Sequence, residues 1–87
     1  MGSDEVLKKL EKLGLRPATL PELLAFGATY PNKQRKFPIV ALGSVWRYWE
    51  GYRFVPYLWE NGARRDLGLG WLERGWDAYY RFAAVRK

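Results

Sequence analysis

The sequence predicts an α+β domain: two N-terminal helices packed on a three- to four-stranded antiparallel β-meander. Three observations carry this reading. Val6, Leu7, Leu10 and Leu13 recur at helical spacing near the start of the chain. Beyond Pro38 the pattern changes to runs rich in β-branched and aromatic residues. Asn61-Gly62 lies between two such runs, and this dipeptide suits a two-residue hairpin turn because both residues tolerate positive φ.

The first helix is expected from Ser3 to Leu13. Asp4 and Glu5 stand in its first turn, where the helix dipole favours acids, and Asp4–Lys8 and Glu5–Lys9 are i,i+4 pairs of the better orientation. Gly14 follows as the residue just past its end. The Met1-Gly2-Ser3 start reads as an expression remnant or as a cap for this helix. Thr19-Leu-Pro-Glu22 is a capping box, with Pro21 in a first turn that needs no N–H from it. A short helix should run from about Leu20 to Ala28, burying Leu20, Leu23, Leu24 and Phe26. Pro31 to Pro38 reads as a polar loop carrying Lys33, Arg35 and Lys36.

Ile39 to Trp46, extending toward Trp49, reads as one strand, Tyr52 to Trp59 as a second and Arg64 to Trp71 as a third. Pro56 lies inside the second strand and cannot donate to a ladder, so its nitrogen must face solvent or a break in pairing. Leu72 to Asp77 reads as a connector. In the last segment, Tyr80, Phe82 and Ala84 alternate with Tyr79, Arg81, Ala83 and Val85, which favours a strand over a helix.

The turn fixes a register. With Asn61-Gly62 as the loop, Trp59 faces Arg64, Tyr57 faces Asp66, Pro56 faces Leu67 and Phe54 faces Leu69. Opposed residues share a face. One face then carries Phe54, Pro56, Leu58, Leu67 and Leu69, and the Leu-rich helices are expected to dock there. If Glu50-Gly51 is a matching turn, the other face gathers Trp46, Tyr48, Tyr57 and Trp59 with Arg53 and Arg64. A slip of one residue would reverse the assignment.

The 87 residues, 1–87, make one small domain, and its 17% aromatic content enlarges the core that so short a chain can bury. Cys and His are absent, which removes disulfides, the commonest nucleophile and the commonest general base. No metal site, cofactor or enzymatic activity is expected. No uncharged run approaches membrane-spanning length and charges interrupt the N-terminus, so a cytoplasmic protein is the expectation. The net charge of +6 favours acidic partners.

The candidate binding residues are Trp46, Tyr48, Arg53, Tyr57, Trp59 and Arg64 on the aromatic face, joined by Lys33, Arg35 and Lys36 if their loop lies beside it. Bases of single-stranded nucleic acid stack on such rings, and the cations meet phosphates. An acidic protein or a second copy of the chain is the alternative partner for the same face, because Trp, Tyr and Arg are enriched at interaction hot spots. Two further readings stand beside these: the aromatics are simply core, or the tidy first helix belongs to an idealised scaffold without a biological ligand.

Overall fold

The computed structural model describes residues 2–47, 52–61, 64–73, 75–76 and 78–86, with Arg35, Asn61 and Arg65 described by backbone alone. The class is α+β. In chain order the elements are helix α1 (Ser3–Lys12), strand β1 (Leu15–Pro17), helix α2 (Leu20–Thr29), the single helical turn α3 (Lys33–Lys36), and strands β2 (Ile39–Val40), β3 (Trp46–Arg47), β4 (Arg53–Asn61), β5 (Arg64–Trp71), β6 (Arg81–Phe82) and β7 (Ala84–Arg86).

The sheet is mixed rather than a meander. β4 is its spine. β5 pairs antiparallel with all of β4 but its first residue, from Phe54↔Trp71 to Asn61↔Arg64. On the other side of β4, β3 pairs with its beginning and β2 with its end. β6 then runs parallel to β2. The expected single strand from Ile39 to Trp46 is therefore two short strands. Gly43 explains the break: a Cβ there would lie 2.6 Å from the Ala18 carbonyl oxygen and 2.7 Å from that of Pro17. Only glycine lets the two backbones approach so closely. The Gly43 N–H donates to the Ala18 carbonyl at 2.8 Å, and the Leu20 N–H donates to Ser44 Oγ at 2.7 Å.

This break resolves the conflict at Pro56. Its carbonyl accepts from the Ala41 N–H at 3.0 Å. The nitrogen and carbonyl of one strand residue point to the same side, so the missing donor faces Ala41, just past the end of β2, and the β5 ladder loses no bond.

Two cores lie on opposite faces of the sheet. On one, Val6 of α1 packs with Val40, Leu42, Val55 and Trp76, bordered by Leu7, Leu10, Tyr57, Leu72, Tyr80 and Phe82. On the other, Leu23 of α2 packs with Ala18, Ile39, Ala41 and Leu58, bordered by Phe26 and Ala83. The expectation of two helices on one face is thus corrected. The pairings Ile39↔Leu58 and Val40↔Tyr57 show why: adjacent residues of β2 feed opposite faces, and both are buried. Each fully buried aliphatic side chain contributes about 1.5–3 kcal/mol.

Ser3 is the first residue of α1, after Gly2 at the N-cap position. Its hydroxyl donates to the Leu72 carbonyl at 2.5 Å and accepts from Trp76 Nε1 at 2.8 Å. Trp76 itself is buried, although its segment reads as a connector in sequence.

The last segment is extended, as its alternation predicts. β6 lies beside β2, and β7 pairs antiparallel with β1 from Leu15↔Arg86 to Pro17↔Ala84. Between them the Ala83 N–H donates to the Val40 carbonyl at 2.8 Å, and its own carbonyl accepts from the Ala18 N–H at 3.0 Å. One residue joins the two sheets.

Candidate interaction surface

The hairpin β4–β5 closes two positions later than its turn dipeptide predicts. Asn61 pairs with Arg64, so Trp59 stands opposite Asp66, Tyr57 opposite Gly68 and Pro56 opposite Leu69. Gly62 and Ala63 lie outside the described residues. A shift of two keeps every side chain on its predicted face, because side chains alternate with period two. β3 behaves differently. Trp46 pairs with Phe54 and Arg47 with Arg53, one position away from the expected register. That slip moves Trp46 to the face of Phe54 and Leu58.

The predicted aromatic platform is therefore not assembled. Tyr57 and Trp59 remain on the face of α1. Tyr57 is half-buried there, its ring lying across β5, where a Cβ at Gly68 would come within 2.8 Å of it. Rings gather around it: Tyr57–Tyr80 at 6.5 Å and Tyr57–Trp59 at 6.4 Å between centroids, with Trp76–Tyr80 at 5.0 Å and Trp76–Phe82 at 5.9 Å beyond. The Tyr57–Trp59 pair is tilted and the other three are edge-to-face, the arrangements of packed aromatic cores. Trp59 is half-buried, and its carbonyl accepts from the buried Gln34 Nε2 at 2.9 Å, which ties α3 to β4.

The predicted cations are dispersed. Arg53 stands opposite Arg47 and turns to Glu73 at 3.4 Å. Arg64 is exposed at the hairpin end of β5. Lys33 and Lys36 are exposed on α3, Arg35 belongs to that turn by its backbone, and Tyr48 lies outside the described residues.

The surface that does assemble is on the opposite face. Trp46 is 41% exposed, Leu67 45%, Leu69 49% and Trp71 50%. Tyr52 stacks flat on Trp71, with centroids 5.4 Å apart and planes 4° from parallel, and Phe54 lies 6.4 Å from the same ring. Leu20 of α2 joins Trp46, Leu67 and Leu69 around a groove of about 530 Å³. Sequence reasoning placed Leu67 and Leu69 on this face but buried them under the helices. Helix α2 covers only the Leu58 end, and α1 is on the other side. The signal that marks the open part is the alternation Leu67-Gly-Leu-Gly-Trp71: glycines on the face that Tyr57 and Trp76 crowd, large apolar groups on the other.

Beyond α2, Arg16 grips Glu22 with two bonds of 2.8 Å, from Nη1 and Nη2 to the two carboxylate oxygens. The Thr19 N–H also donates to Glu22 at 2.9 Å, as the capping box predicts. The Arg16 guanidinium, with this N–H in support, holds the Glu22 carboxyl at about 2, well below its ordinary value, while Arg16 is raised. Among the described residues no group of His, Cys, Asp or Glu is gathered as a metal would need, and no helix is long and apolar enough to cross a membrane. Comparison with protein-family models, with curated proteins and with solved structures finds no match to the chain.

Proposed function

We propose that the protein is a non-catalytic interaction module that associates with a second copy of itself through β5 and the apolar face beside it. The observation that carries this reading is the half-strand from Leu67 to Trp71. Its three large side chains are about half exposed, and β4 is the one strand beside it among the described residues. Natural sheets guard such edges with charge, proline or a bulge. This half of β5 has no charge and no proline, and its pairing with β4 runs without interruption.

The half-strand is also nearly the same read in either direction. An antiparallel pair centred on Leu69 sets Leu67 opposite Trp71, Gly68 opposite Gly70 and Leu69 opposite itself. Opposed residues share a face, so the apolar surface would continue across a two-fold axis, as an isologous dimer requires.

Sedimentation equilibrium over a micromolar to millimolar range tests the reading. The expected result is a monomer–dimer equilibrium that Leu69→Lys abolishes while circular dichroism and thermal stability stay unchanged, because the substitution sets two like charges against each other at the centre of the pair. A monomer at every concentration, or a dimer indifferent to Leu69→Lys, overturns it. Titration with a mixed-sequence single-stranded oligonucleotide separates the nucleic-acid alternative. Quenching of Trp fluorescence that weakens steeply with salt, in a protein that stays monomeric, would favour that alternative.

A further inference from the structure

A second groove is bounded by α2, α3, β6 and β7. We infer that it binds a small molecule with an apolar body and a carboxylate. The groove encloses about 500 Å³, within the range of about 300–1,000 Å³ typical of small-molecule sites. Phe26, Phe37, Ile39, Ala83 and Val85 make its lining predominantly apolar.

Two cations reach it, Lys33 and Arg81. The Arg81 guanidinium lies over the Phe37 ring, 4.0 Å from its centroid, and its Nη1 donates to the carbonyls of Ala78 at 2.6 Å and Tyr80 at 3.2 Å. The planar fork is thereby set on an aromatic shelf before any ligand arrives. A guanidinium carries five donors in fixed geometry, and these bonds occupy one nitrogen, which leaves Nε and Nη2 to meet a carboxylate.

The acid among the described lining residues does not cancel this charge. Both oxygens of Glu22 are engaged by Arg16, so Lys33 and Arg81 give the rim a positive balance. An apolar floor under such a rim matches a hydrophobic carboxylate. A neutral ligand would leave the cations unmet, and a cationic one would be repelled.

The test is a ¹H–¹⁵N NMR titration of the whole chain with 2-naphthoate and, in parallel, 2-naphthamide. The expected result is a saturable shift of the amides of Ile39, Ala83 and Val85, with naphthoate about tenfold tighter than the amide, the scale of one charge-assisted hydrogen bond near a surface. Arg81→Gln should remove that preference while weak binding of the amide persists. Lys33→Gln, at an exposed position that does not disturb packing, should narrow it, and this variant decides the matter if Arg81→Gln does not fold. No saturable shift by millimolar naphthoate, shifts centred elsewhere, or equal affinity for acid and amide would each overturn the inference.

Discussion

Glu22 caps α2 and also anchors β1 to it through Arg16. Its folded carboxyl titrates near 2 against an ordinary 4.5, chiefly through the hydrogen bonds from Arg16 and then the Thr19 N–H. A carboxyl held low in the folded state binds fewer protons there than in the unfolded chain. Its stabilisation is therefore present above about 4.5 and is lost as pH falls toward 2. Glu22→Gln should lower the melting temperature at neutral pH and flatten its decline through that acid window. Thermal unfolding at successive pH values checks this; a variant whose acid profile parallels the parent's would deny the pair its role. The capping box made this residue legible in sequence. Its partner was not, because Arg16 precedes the helix and belongs to a strand that exists only by pairing with β7.

At the scale of elements, α2 and the two predicted strands of the hairpin are where local signals indicate, since capping and alternation agree there, although the hairpin closes two positions beyond the register that Asn61-Gly62 sets. Less was legible where an element's fate depends on distant neighbours. β1 has three residues and no periodicity of its own. β2 and β3 are divided by a close approach of Gly43 to residues 17 and 18 that no local pattern encodes. Face assignment fared likewise: the β4–β5 faces survived a register shift of two, while β3, with a slip of one, delivered Trp46 to the opposite side. The division of α2 between core and solvent can be measured. Leu23 is fully buried and Leu24 is 47% exposed. Leu23→Ala should cost about 2–5 kcal/mol and Leu24→Ala less than about 0.5 kcal/mol, read from urea unfolding. Equal costs would mean that the helix is rotated about its axis, with Leu24 also turned inward.

For the whole molecule, opposite faces of one sheet each carry a helix, and the remaining uncovered area lies toward β5. The nine-residue β4 is buried from both sides near Val55 and Leu58, so the middle of the central strand is well protected. The net charge of +6 gives the proposed dimer a distinctive dependence on salt. Two like-charged copies repel, and added salt screens that repulsion. Self-association should therefore strengthen as sodium chloride rises, whereas an interaction with nucleic acid should weaken. Light scattering or sedimentation at low and high salt reads the sign directly, and a dimer that dissociates on adding salt would contradict an apolar interface.

The bond between Ser3 and Trp76 spans 73 positions, and β1 near the start of the chain pairs with β7 near its end. During synthesis at about 5–20 residues per second, α1 is made several seconds before Leu72 and Trp76 exist for Ser3 to bond. Val40, Leu42 and Val55 are made before the residues that bond Ser3, so α1 has part of its packing surface early and its hydrogen-bonded anchor late. Docking of α1 is therefore complete only once Trp76 has been made, and the nascent chain carries uncovered apolar strands in that interval.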